Sequence, residues 1–106
     1  MRIAICLYGC FKDGDAKIDQ ILENVIKPLQ SRNDVNIFCY FWLCQDSECM
    51  YGLDRFVHKL IPIHYDYCQL STPPVDYEIR EMSLLSFVNY RMEYGKEYDV
   101  VVEIKI

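Results

Sequence analysis

Ile3-Ala4-Ile5-Cys6-Leu7-Tyr8 is a continuous apolar run closed by Gly9. A strand that is apolar at every position has both faces covered, as in a parallel sheet with helices above and below it. Outward from this run, Asp13-Gly14-Asp15 offers helix caps. Ile18, Ile21, Leu22, Val25, Ile26 and Leu29 then recur at helical spacing, with Asp19, Gln20, Glu23, Asn24 and Lys27 on the other side. Pro28 is expected to end or kink this helix, because it lacks the N–H that would bond back to Asn24. Ser31-Arg32-Asn33-Asp34 reads as a turn. Val35 to Trp42, dense in aromatic and β-branched residues, reads as a second strand.

A polar, cysteine-bearing loop is expected from Leu43 to Gly52. Leu53, Phe56, Val57 and Leu60 share one face of a short helix that Pro62 stops, and Ile63-His64-Tyr65 suits a short third strand. After the Ser71-Thr72-Pro73-Pro74 loop, Val75 to Tyr94 reads as a long helix with Ile79, Met82, Leu85, Val88 or Asn89, and Met92 turned inward. Gly95 suits its end. In the last strand, Tyr98 to Ile106, the residues Val100, Val102, Ile104 and Ile106 point one way, and Asp99, Val101, Glu103 and Lys105 the other. Such a half-polar strand is expected at an edge, or where a covering element is absent. Strand–helix alternation with right-handed crossovers predicts a three-layer α/β domain over residues 1–106, with a mostly parallel four-stranded sheet in the order 3-2-1-4 and helices on both faces.

Composition supports a globular chain: of 106 residues, 52% are hydrophobic and 25% charged. Sixteen acids against eleven bases give a net charge of −5, which disfavours nucleic acid and anionic membranes as partners. No apolar run approaches the roughly 18–20 residues of a bilayer span. Arg2 is followed by too short an apolar stretch for a signal peptide, so a cytoplasmic chain is expected. The six cysteines then read as free thiols, with Cys6 and Cys39 in the core. No C-x-x-C pair spells a zinc or dithiol motif. Cys44 and Cys49 share the expected loop, where a metal contact is the lesser reading and free thiols the better one.

Open α/β sheets bind ligands beyond the carboxyl ends of their strands. That directs attention to the loop expected after the first strand, Tyr8-Gly9-Cys10-Phe11-Lys12-Asp13-Gly14. Gly9 would let amides approach a phosphate, Lys12 would supply charge, and Trp42, at the end of strand two, would stack on a base. On these residues alone, a turn with Gly at positive φ and Lys in water is the plainer reading. No phosphate-loop or dinucleotide fingerprint is present. His58 and His64 have no Ser or Cys partner at a motif distance and read as surface or half-buried residues. Asp76 and Arg80, four apart, read as a solvated helix pair.

The succession of segments resembles a glycosyltransferase-like family found in bacteria, phages and large DNA viruses. Arg2 to Lys12 is similar to that family's opening strand and Ser-Gly-Gln-x-Arg loop, with Gly9 matching the glycine, Cys10 in place of Gln and Lys12 in place of Arg. Ile26-Lys27-Pro28-Leu29 and Asp34-Val35-Asn36-Ile37-Phe38 are similar to its first helix end and second strand. Tyr40-Phe41-Trp42 matches the close of that strand, and Met82 to Val102 resembles a later helix and strand. The resemblance implies the first half of a GT-A fold, with a nucleotide-diphosphate sugar held at Tyr8, Gly9, Cys10, Lys12 and Trp42. It also implies Mn²⁺ or Mg²⁺ arriving with the nucleotide. Glu103 and Lys105 stand where the family has two arginines, and the sequence reaches Ile106 before the family's acidic metal motif. A half-domain is therefore expected: no catalytic residue, no metal ligand, no transfer by the chain alone, and pairing with a missing carboxyl-terminal half or with itself. The alternative is a non-enzymatic interaction module or an oligomerising remnant.

Overall fold

The computed structural model describes residues 1–11, 14–43, 47–69 and 72–106. It contains β1 (Arg2–Phe11), α1 (Gly14–Ile21), a π-helical turn (Leu22–Ile26), α2 (Lys27–Gln30), β2 (Asp34–Leu43), α3 (Ser47–Leu60), β3 (His64–Cys68), α4 (Asp76–Tyr94) and β4 (Val100–Lys105). The four strands form one sheet in the order β3-β2-β1-β4, and every pairing is parallel. The expected fold class and strand order are those observed.

The central strand β1 is buried on both faces, as its unbroken apolar run requires. On one face Ile3, Ile5, Leu7, Ile37, Cys39, Phe41 and Leu43 meet Ile18 and Ile26 of the first helical segment and Leu53, Phe56 and Leu60 of α3. Phe41 and Phe56 meet edge to face, with centroids 5.1 Å apart. On the other face Ala4, Cys6 and Phe38 pack against Phe87 of α4. Phe38 is ringed there by Phe87, Tyr90 and Tyr98, at centroid distances of 4.9, 5.2 and 5.8 Å. As expected from their alternation, Val102, Ile104 and Ile106 turn toward the larger core, and β4 is an edge.

Four details differ from the sequence expectation. The helix does not end at Pro28. It widens first, with the Lys27 N–H bonding to the Leu22 carbonyl five residues back, and runs on through Pro28 to Gln30. A wider turn accommodates a residue that has no N–H to give. α3 begins at Ser47, inside the expected loop. β3 runs from His64 to Cys68, not over Ile63–Tyr65, because it pairs in register with Phe38 to Trp42. On α4 the buried residues are Ile79, Ser83 and Phe87, whereas Met82, Leu85, Val88 and Met92 are exposed. The helix is apolar on more than one side, and the sheet takes the side where Ser83 permits close approach and Phe87 fills the gap.

Candidate functional site

The strand order reverses at β1: the chain proceeds outward through β2 and β3, then returns to the other side of β1 as β4. Such a reversal opens a crevice at the carboxyl ends of the diverging strands. Parallel register places three rows of residues along the α4 face of the sheet. Glu103, Cys6, Phe38 and His64 form the first, Lys105, Tyr8, Tyr40 and Asp66 the second, and Cys10, Trp42 and Cys68 the third.

Tyr8, Gly9 and Cys10 are strand residues rather than loop residues. β1 continues through Phe11, and these positions pair with Tyr40, Phe41 and Trp42. Tyr8 and Cys10 are half-buried, Cys10 beside Trp42 in the third row and Tyr8 in the row before it. Gly9 lies on the opposite face at φ +139°, and a Cβ there would stand 3.0 Å from the Ile106 carbonyl oxygen and 3.1 Å from its Cγ1. Its freedom is thus taken up by the close approach of β4's end, whose Ile106 N–H donates to the Tyr8 carbonyl at 2.9 Å. Trp42 is only 5% exposed, so its ring is part of the packed face and not an open platform for a base. Lys12 and Cys44 lie outside the described residues, as does the side chain of Cys49.

Among the described residues, the basic groups at the crevice are Arg80 and Lys105. Arg80 grips Glu103 through two hydrogen bonds, from Nε at 3.0 Å and from the guanidinium terminus at 2.8 Å. Lys105 Nζ donates to Asp76 at 2.5 Å. The expected Asp76–Arg80 helix pair is therefore replaced by two cross-links that pin the first turns of α4 to β4. The Asp76 carboxylate holds the Lys105 ammonium above its usual pKa, and Glu103 does the same for Arg80. Strand alternation alone places Lys105 beside Tyr8, whereas nothing local in the sequence marks Arg80 as its neighbour.

Deeper on the same face, burial pushes the Tyr40 phenol up to about 12, and Cys68 and Asp66 add to the shift. Burial also raises the Cys68 thiol, while its hydrogen bond with Tyr40 acts in the opposite direction. Cys10 and Cys68 are separated by two strand spacings, about 9–10 Å between Cα atoms, which is beyond disulfide reach. His64 is half-buried, with Nε2 3.2 Å from Ser86 Oγ, a pairing across 22 residues that the sequence does not announce. His58 is exposed on α3. No helix among the described residues is long and apolar enough to cross a membrane. Comparison with family models, curated proteins and solved structures yields no match to this chain.

Proposed function

We propose that this chain is the nucleotide-binding half of a glycosyltransferase-like protein, cytoplasmic, and inactive in sugar transfer by itself. The observation that carries the reading is the all-parallel β3-β2-β1-β4 sheet, whose reversal at β1 makes the kind of crevice where α/β sheets hold nucleotides. The diphosphate would lie between the carboxyl ends of β1 and β4, where α1 begins just past β1. Lys12 would neutralise it, with Mn²⁺ or Mg²⁺ arriving on the nucleotide. Tyr8 and Cys10 would border the ligand. Gly9 and Trp42 support the crevice from within, and neither touches the base.

Titration of a nucleoside diphosphate with and without Mn²⁺, followed by Trp42 fluorescence, tests this. Lys12→Ala is expected to weaken binding by about 1–2 kcal/mol, the loss of one charge-assisted contact. An unchanged affinity in that variant, or no saturable binding by the parent, sinks the proposal. A radiolabelled nucleotide-sugar assay on the same chain should show no transfer.

The second reading, an interaction module that self-associates, is favoured by the outward face of α4, where Leu85 is 61% and Met92 80% exposed. Sedimentation velocity decides it. A dimer that Leu85→Glu converts to monomer supports it, and a monomer at all concentrations removes it.

A further inference from the structure

α4 covers β1 and β2, meets edge strand β3 at His64, and leaves the inner side of β3 open beyond it. The groove between them is a cavity of about 350 Å³, bordered by Tyr40, His64, Asp66, Tyr90, Glu93 and Tyr94. This is a size that suits a small ligand.

Its walls are chemically one-sided. Tyr94 and Tyr90 lie with ring centroids 4.5 Å apart, and Tyr90 lies 5.4 Å from the His64 ring, so three rings run in a row along one wall. Tyr40 stands across from them on β2. The His64–Ser86 contact fixes the ring at the end of the row. Two carboxylates, Asp66 and Glu93, border the opening, and no lysine or arginine does so among the described residues. The two carboxylates give the opening a negative potential, and the packed rings give it an apolar wall. An anion such as a phosphate would meet repulsion from every charged group present. A neutral apolar ligand would fill the space but offer no charge to Glu93 or to Asp66, whose carboxylate accepts, among the described residues, only the Tyr67 N–H at 2.8 Å. A cation on an apolar stem satisfies both the rings and the carboxylates.

We propose that this groove binds a small organic ammonium ion. The site is distinct from the crevice at β1 and β4 and does not depend on the nucleotide reading. Its test is a titration of the whole chain with choline, followed by amide and ring NMR shifts, beside its neutral isostere 3,3-dimethylbutan-1-ol. The expected result is saturable choline binding, with shifts centred on Asn89, Tyr90 and Tyr94. The isostere should bind about tenfold more weakly or worse. The double variant Asp66→Asn/Glu93→Gln, at two exposed positions, should lose roughly fivefold or more of choline affinity while the rest of the spectrum is unchanged. Tyr94→Leu, also at an exposed position, should weaken binding too. Equal binding of the isostere, shifts scattered over the surface, absence of saturable binding, or full affinity in the double variant overturns the proposal.

Discussion

Gly9→Ala separates a glycine kept for folding from one kept for a ligand. At φ +139° an L-residue is strained, at a cost of about 1–3 kcal/mol. The new Cβ would also press on the Ile106 backbone at 3.0 Å and its side chain at 3.1 Å. Relief requires β4's end to move away, which stretches the 2.9 Å bond from Ile106 N–H to the Tyr8 carbonyl. That bond is worth a further ~0.5–1.5 kcal/mol. Together the expected loss is about 2–4 kcal/mol, a large share of the roughly 5–15 kcal/mol that holds a typical domain.

The assay is urea unfolding monitored by circular dichroism, with the midpoint expected to fall at constant slope. A cycle with Ile106→Ala isolates the contact, because the shorter side chain removes the Cγ1 clash but not the backbone one. A coupling of about 0.5–1 kcal/mol is expected. If Gly9→Ala unfolds within about 0.5 kcal/mol of the parent, below the ordinary range for strained backbone, the steric account is wrong. Loss of nucleotide affinity in a fully stable variant would return Gly9 to the ligand.

Three further outcomes are expected. Ile61 holds φ +49° just past α3 while 81% exposed, so Ile61→Gly should stabilise the fold by about 1 kcal/mol, read as a raised urea midpoint; a lowered midpoint would contradict the strain. Phe87→Ala should cost about 3–4 kcal/mol, because it empties the contact with Phe38 and Tyr98, and a loss under about 1 kcal/mol would show that α4 is held by other means. Burial pushes the Cys6 thiol from 9.0 up to about 12 and raises Cys39 as well. Between those values the unfolded chain gives up protons that the folded chain retains. Stability is therefore full below about pH 9 and falls as pH rises, by ~1.4 kcal/mol per pH unit for each thiol. Urea midpoints at about pH 8 and 10.5 check this, and Cys39→Ala should flatten the slope; midpoints that do not move with pH would refute it.

The strand order was legible because the pattern of β1 is unambiguous and right-handed crossovers leave few arrangements. The edge position of β4 was legible for a similar reason: Glu103 and Lys105 alternate with Val102, Ile104 and Ile106, and a half-polar strand is poorly suited to the middle. Less legible were features where two local signals compete. Gly9 resembles the end of a strand, yet it continues β1 because the register with Phe41 extends past it. Pro28 resembles a helix stop, yet a π turn absorbs it. On α4 a stripe through Met82, Leu85 and Met92 is as apolar as the one that is buried. Which stripe faces the sheet depends on Phe38, Tyr98 and the room left by Ser83, all of them distant in sequence. The predicted site shared this fate. Trp42 was placed correctly at the end of β2, but its burial depends on tertiary packing that a single strand does not reveal. The His64–Ser86 contact and the row of rings arise only when α4 lies over β2.

The uneven covering of the sheet links these surfaces. One face is closed by α1, the π turn and α3 and holds the larger part of the core, including Phe41, Phe56 and Leu43, all at 1% exposure or less. Among the described helices the other carries α4, which is held there by Phe87 from the middle and by the Arg80–Glu103 and Lys105–Asp76 links at its first turns. A helix so fixed meets β3 at His64, its first residue, and leaves the rest of that strand's inner side uncovered. The space beside it becomes the tyrosine-lined groove, and its far side keeps Val88 and Met92 in water. Those same links occupy Arg80 and Lys105, the two basic side chains among the described residues at the crevice between β1 and β4. On the proposed nucleotide reading, a diphosphate would either rely on Lys12 or draw Lys105 away from Asp76, loosening the amino-terminal end of α4. In the second case nucleotide binding and the seating of α4 would be coupled through the Lys105–Asp76 pair. Asp76→Asn should leave Lys105 free for the nucleotide and strengthen binding, while the same change weakens the hold of α4 on β4. Titration and urea unfolding of this variant should move in opposite directions, and a nucleotide affinity that falls with stability would place the diphosphate away from Lys105.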